Sequence, residues 1–110
     1  MERAVFGASG FFSQEAFMTG FRGIDHVQVR QVKRTNIEII EILFDPWKVS
    51  YQQLVDLFFD LHDPTTTEGQ SLIFFSNLRQ LTVAKQKKVN LRLQVGNVMT
   101  DIIPVGQLSS

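Results

Sequence analysis

The stretch NIEIIEILFDPWKVSYQQLVDLFFDLHDPT, residues Asn36–Thr65, reads as a strand, a stop, a capped helix and a second stop. Ile37 to Phe44 is rich in β-branched and aromatic side chains and suits a strand, which Asp45-Pro46 ends. Ser50 is a fitting N-cap, and Gln53 sits three residues later to reach back, so the two form a capping box. Val49 and Leu54 stand where a hydrophobic staple would fix the entry of the chain. Tyr51, Leu54, Val55, Phe58 and Leu61 then recur on one face at helical spacing, and His62-Asp63-Pro64-Thr65 closes the helix.

Working outward from this block places the rest. His26 to Val32 alternates, with Val27, Val29 and Gln31 on one face, and the polar Lys33–Asn36 link makes a hairpin with the following strand. Residues 2–8 suit a short strand, and Phe11 to about Gly20 a helix ended by Gly20 and Gly23. Beyond the loop at Thr65–Gly69 come a strand at Ser71–Phe75, a helix from Asn77 to about Leu93, and a last strand from Asn97 to Val105. The order β-α-β-β-α-β followed by α-β predicts an α+β fold: a ferredoxin-like split β-α-β core with an appended helix and strand. No repeat or linker interrupts it, so residues 1–110 are expected to form one domain.

Composition narrows the chemistry. Among 110 residues there is no cysteine, which removes disulfides, thiolate zinc sites, thiol nucleophiles and dithiol relays. Ten phenylalanines against one Tyr and one Trp point to a core that rarely hydrogen-bonds through its rings. The formal net charge is zero, so the whole molecule makes no electrostatic claim on nucleic acid. Neither a membrane-spanning run nor a signal-peptide start is read here, and cytoplasmic is the default expectation. Charge is uneven, however: between Glu68 and Asp101 there is no acid, while Arg79, Lys85, Lys87, Lys88 and Arg92 all fall there. Lys85, Lys88 and Arg92 share one helix face, with Lys87 to the side, and a solvated face is the ordinary reading of such a group.

Two places invite a functional reading. Gly7-Ala8-Ser9-Gly10 is a small-residue corner between a strand and a helix, where chains display nucleophiles or backbone donors, and Phe11 and Phe12 follow at once. In the strand at 37–44, alternation puts Glu38 on one face with Ile40, Ile42 and Phe44. Burial there would raise the carboxyl pKa and suit a proton donor, whereas a position at the wet strand end would leave it solvated. Spacing alone leaves both roles open. His26 and His62 show no ligand spacing, and no metal or other cofactor is expected. His62 reads as a helix C-terminal residue favoured by the dipole.

Taken together these segments resemble the peptide methionine sulfoxide reductases of the A type. The family's small-residue turn and Gly-Cys-Phe-Trp helix start correspond to Ser9-Gly10-Phe11-Phe12, followed by Glu15 and by Phe21, Gly23 and Ile24. Its His-Ala-Glu strand ending in Phe-Asp-Pro corresponds to Asn36-Ile37-Glu38 running to Phe44-Asp45-Pro46. Its His-Asp-Pro-Thr segment is here as His62–Thr65, its Ser-x-Ile-Phe-Tyr strand as Ser71, Ile73, Phe74 and Phe75, and its late strand as Val98–Pro104. The resemblance implies that Glu38 occupies the proton-donor position, Gly10 the position of the nucleophilic cysteine, and Phe11 and Phe12 the ring-lined methyl pocket. It also implies that two oxygen-holding tyrosines have become Gln31 and Gly69. The loops between the central strands and after His62–Thr65 are shorter, and the tail carrying recycling cysteines has no counterpart in these residues.

Reductase activity by the family mechanism is therefore expected to be absent, with no dependence on thioredoxin. Three readings of the frame stay open, one of them a reductase that still works through a partner's cysteine. The frame can instead retain a pocket for a methionine-sulfoxide-containing protein or peptide, or Phe11 and Phe12 can be plain core. Alternatively it can serve as an interaction or self-associating module, a homo-oligomer included, through another surface; partners in nucleic acid or membrane are not expected.

Overall fold

A computed structural model describes residues 1–9, 14–32, 35–65 and 70–108, with the side chains of 14 and 15 left aside. The elements follow in the order β1 (Glu2–Ser9), α1 (Gln14–Gly20), β2 (Ile24–Gln31), β3 (Ile37–Phe44), α2 (Tyr51–Asp60), β4 (Ser71–Phe75), α3 (Leu78–Val95) and β5 (Thr100–Pro104), with a short 3-10 turn at Val105–Gln107. The five strands lie in the order β2-β3-β1-β4-β5. All pairings are antiparallel except β4 with β5, which run parallel. This is the split β-α-β core with an appended helix and strand that the element order predicts.

β1 occupies the middle of the sheet and is buried on both faces, which is why Ala4 to Ala8 reads as an unbroken small and apolar run instead of alternating. Ala4, Phe6 and Ala8 face the helices, in one cluster with Phe17 of α1, Leu54, Val55 and Phe58 of α2 and Ala84 of α3. Val5 points the other way, to Ile39, Leu72 and Phe74, and the C-terminal residues Val105 and Leu108 pack against that second cluster. The Phe6 ring lies 4.7 Å from Phe58, 6.1 Å from Phe17 and 6.2 Å from Tyr51, all near-parallel.

Helix α2 begins as its sequence dictates. Gln53 N donates to Ser50 Oγ at 3.1 Å, and Ser50 N to Gln53 Oε1 at 2.9 Å, completing the capping box. Its buried set is Tyr51, Leu54, Val55, Phe58 and Phe59. Leu61, the half-buried C-cap, packs against the same cluster as expected, and Phe59 joins the buried set against Phe58 and His62. Helix α3 is capped by Asn77, whose Oδ1 accepts from Gln80 N at 2.9 Å. The buried Gln80 ties α3 to β1: its Oε1 accepts from Ser76 N, and its Nε2 donates to Arg3 O at 2.8 Å and Glu2 Oε2 at 3.1 Å. α3 runs two residues past the expected end, to Val95, where Gly96 takes φ +92. The last strand is shorter than expected; Met99 N donates to Pro64 O at 2.7 Å before it begins.

Between β3 and α2 the chain turns on Asp45, whose Oδ1 accepts from Trp47 N at 3.0 Å, while Asp45 N donates to Gly23 O at 2.8 Å. Trp47 itself projects into solvent, 95% exposed. Gly23 adopts φ +94, and a Cβ there would stand 2.6 Å from Lys48 Cβ, so glycine is required on both counts.

Among the described residues two buried side-chain oxygens have no hydrogen-bond partner, Asp56 Oδ1, which lies 2.9 Å from Lys87 Nζ, and the hydroxyl of Tyr51. Burial, aided by the nearby Glu2 carboxylate, pushes the Tyr51 pKa well up. An unpaired buried hydroxyl costs about 1–3 kcal/mol of desolvation. Tyr51→Phe keeps the ring against Phe6 and is expected to raise stability by about 1 kcal/mol in urea unfolding; a loss of that size would show that the hydroxyl is held after all.

Candidate functional site

One transverse row crosses all five strands near the start of β4. Gln31 pairs with Glu38, Glu38 with Ala8, Ala8 with Ser71, and Ser71 with Thr100. Alternation puts these residues on the helix-covered face, in phase with Val29, Ile40, Phe6, Ile73 and Ile102. Side chains directly opposed across strands stand about 5 Å apart, so the row gathers polar groups along one edge of an apolar face. Ala8 sits two residues before Gly10. Gly10, Phe11, Phe12 and Gly69 lie outside the described residues, so the row contains Glu38 and Gln31 of the six positions singled out in the sequence.

Glu38 is half-buried, and among the described residues its carboxylate makes no hydrogen bond or ion pair. Gln31 reaches back over the hairpin turn, donating from Nε2 to Thr35 O at 3.0 Å. Thr35 organises the same turn: its Oγ1 donates to Val32 O at 2.9 Å and accepts from Ile37 N at 3.1 Å. Ser9 is fully engaged with β4's approach, since its Oγ accepts from Gln70 N at 2.9 Å and its N–H donates to Gln70 O at 3.0 Å.

The other half of the row is a closed hydrogen-bond chain. His62 Nδ1 lies 2.8 Å from Phe58 O, and because a carbonyl can only accept, Nδ1 carries the proton. In the neutral ring Nε2 is then the acceptor, 2.7 Å from Ser71 Oγ, which lies 2.8 Å from Thr100 Oγ1. Phe58 packs over the imidazole at 4.5 Å. Burial lowers the His62 pKa from the ordinary 6.5; the bond to Phe58 O and the neighbouring Asp63 oppose the shift. Asp63 is fixed in turn by Thr65, whose Oγ1 and N–H donate to Asp63 Oδ1 at 2.6 and 2.9 Å and hold that carboxyl below the usual range.

His62 is thus more than a residue at a helix C-terminus: it joins α2 to β4 and β5. The sequence carried a signal for this chain. Ser71 and Thr100 are polar residues two positions before Ile73 and Ile102, at core-facing phase in short apolar strands.

What the row offers chemically is a carboxylate, a carboxamide and a pair of hydroxyls backed by a neutral imidazole. It offers no group that can take up oxygen and be reduced again. Among the described residues no three His, Asp or Glu side chains converge as a metal site. No helix there is long and apolar enough to cross a membrane.

Comparison with known proteins places these observations. A family profile described as "Peptide methionine sulfoxide reductase" matches residues 2–109. The chain is 32% identical to the peptide methionine sulfoxide reductase MsrA of Pelagibacter ubique, covering 91% of this chain and 85% of that protein. It is 31% identical to MsrA 1 of Nostoc, over 94% of this chain and 77% of the relative. Among solved structures, oxidised Mxr1 from Saccharomyces cerevisiae superposes with a TM-score of 0.65 at 20% identity, covering 94% of this chain and 72% of Mxr1, a likeness of fold.

Because the folded imidazole binds its proton less readily than the unfolded one, the unfolded chain takes up protons first as pH falls. The His62 contribution to stability is therefore complete above about pH 6.5 and declines as pH drops below it. His62→Phe should flatten that decline between about pH 5 and 6.5. It should also lower stability near neutral pH by about 1–2 kcal/mol, because Ser71 and Phe58 O lose their partner. Urea midpoints of both proteins across this range test it; identical slopes would refute the assignment.

Proposed function

The chain belongs to the peptide methionine sulfoxide reductase family, and on that premise we propose that it is a catalytically silent member that keeps a seat for an oxidised methionine side chain. The observation that carries this reading is a mismatch. Glu38, at the family's proton-donor position, stands in register with Ala8 beside the corner, yet the 110 residues contain no cysteine to work with it.

Reduction of a sulfoxide by this family's chemistry moves the oxygen onto a thiolate sulfur. The substrate leaves as a sulfide, the enzyme is left as a sulfenic acid, and a second thiol reduces that acid with loss of water. Gly10 at the nucleophile position has no side chain to attack with. Ser9 cannot substitute: a hydroxyl oxygen cannot accept the transferred oxygen and be recycled, and this one is already bonded to Gln70 N.

Binding without turnover asks less of the site. A sulfoxide oxygen is a strong acceptor, which the second N–H of the Gln31 carboxamide can meet, and Phe11 and Phe12 supply rings for the methyl group. Gln31 stands in place of one oxygen-holding tyrosine and keeps a donor there, whereas Gly69 keeps none. A second reading, an interaction module, is favoured by the outer face of α3 described below.

Gly10→Cys tests the proposal most sharply. With added dithiol, the parent chain is expected to give no reduction of a methionine-S-sulfoxide peptide above the blank, and the variant to turn it over. In a parallel titration of the parent, the same peptide should shift the amide resonances of Ala8, Gln31 and Glu38, and Gln31→Ala, which removes the carboxamide donor, should weaken binding by up to about tenfold. Turnover by the parent would overturn its silence, and absent shifts together with an inert Gly10→Cys variant would overturn the seat.

A further inference from the structure

The longest helix of the chain presents an outward face that is unusual for one bathed in water. Solvated helix faces ordinarily carry both signs of charge, often as i,i+4 pairs of acid and base. α3 contains no acidic residue in its eighteen positions. Two of its cations are already used. Lys87 Nζ lies 2.9 Å from Asp56 Oδ1 of α2, and Lys88 Nζ donates to Thr100 O at 2.6 Å on β5. The stripe of Lys85, Lys88 and Arg92 read from the sequence is therefore broken, because Lys88 turns toward the sheet.

What remains outside is a mixed row. Leu78, Lys85, Val89, Arg92 and Leu93 recur at spacings that return to one side of a 3.6-residue helix, spanning about 22 Å. Leu78 is 76% exposed, Val89 51% and Leu93 83%, and Lys85 and Arg92 are exposed with no ion pair among the described residues. The inward side is separately satisfied by Gln80, Ala84, Val83 and Leu91. The outer aliphatics are thus surplus to this fold's own core.

We propose that this outer face of α3 docks an acidic amphipathic helix of another protein, with Leu78, Val89 and Leu93 as apolar anchors and Lys85 and Arg92 as the charges that select it. Charge decides the occupant. A second copy meeting the face about a two-fold axis would bring Lys85 and Arg92 against their own counterparts, with no acid on either helix to offset them. A lipid surface is disfavoured by the polar Thr82, Gln86 and Asn90 among or beside the anchors and by the absence of aromatic residues on this helix. Lys85 and Arg92, even with the exposed Arg79 beside them, are too few cations for a nucleic-acid footprint. An acidic helix with its own apolar stripe meets both features at once, packing helix on helix with its acids opposite Lys85 and Arg92.

The test uses the intact chain, labelled with nitrogen-15, and a synthetic helical peptide with Leu at heptad a and d and Glu at e and g. Amide shifts are expected at Leu78, Lys85, Val89 and Leu93, weakening as salt is raised. The double variant Lys85→Glu/Arg92→Glu should bind about tenfold less tightly or worse, as should Leu93→Ser, with the rest of the spectrum unchanged because all three positions are exposed. A peptide with Ala in place of Leu should not bind measurably. The proposal is overturned if the Leu/Glu peptide leaves α3 unshifted, if the Ala peptide binds equally well, or if anionic phosphatidylserine vesicles bind as tightly as the peptide.

Discussion

The stacking of Phe6 on Phe58 at 4.7 Å is the contact on which the rest of this molecule is arranged. Phe6 lies on the central strand and also meets Phe17 and Tyr51, so one ring joins the sheet to both α1 and α2. A side-chain period of two then leaves no freedom in register: sliding β1 by one residue would turn Phe6 and Ala8 away from the helices and put Val5 and Gly7 in their place. Ala8 is the crossing point of the polar row, two residues beyond Phe6 on the same face. The aromatic stack therefore determines where Glu38, Ala8 and Ser71 meet.

Much of this architecture was legible because local signals agreed with one another. Ser50 with Gln53, the Asp45-Pro46 stop and the run from Ile37 to Phe44 each act within a few residues, and each element they predict is present. Less legible were features that depend on partners far along the chain. Phe59 joins the buried face beside Leu61, an inward turn that helical spacing alone does not reveal. Lys88 looked like part of a solvent-facing stripe, and only the approach of β5 gives it a carbonyl to bind. Gln80 could not be distinguished from a surface glutamine until Glu2 and Arg3 were brought beside it. The candidate site divides the same way. Glu38 and Gln31, singled out by motif, pair across β2 and β3, whereas the chain through His62, Ser71 and Thr100 joins three segments that sequence distance keeps apart.

Fold and chemistry have separate requirements here. The β-α-β frame depends on ring packing and strand register, and neither involves a side chain at position 10. A chain without cysteine can therefore keep its packed core, together with the hydrogen bonds of Ser9 to Gln70, Gln31 to Thr35 and His62 to Ser71. The pinned imidazole and the Asp63–Thr65 turn hold the end of α2 against the start of β4, one strand away from Ala8.

The turn at Asp45 has a consequence for how the protein can be observed. Its Trp47 is the single tryptophan in the chain and already stands in water. An indole fully hydrated before unfolding undergoes little change of environment when the core opens, so its emission maximum is nearly blind to the loss of the Phe6 cluster. Backbone ellipticity must carry that measurement. The same indole is a clean optical beacon for anything that covers the β3–α2 corner, because no second tryptophan contributes to its signal.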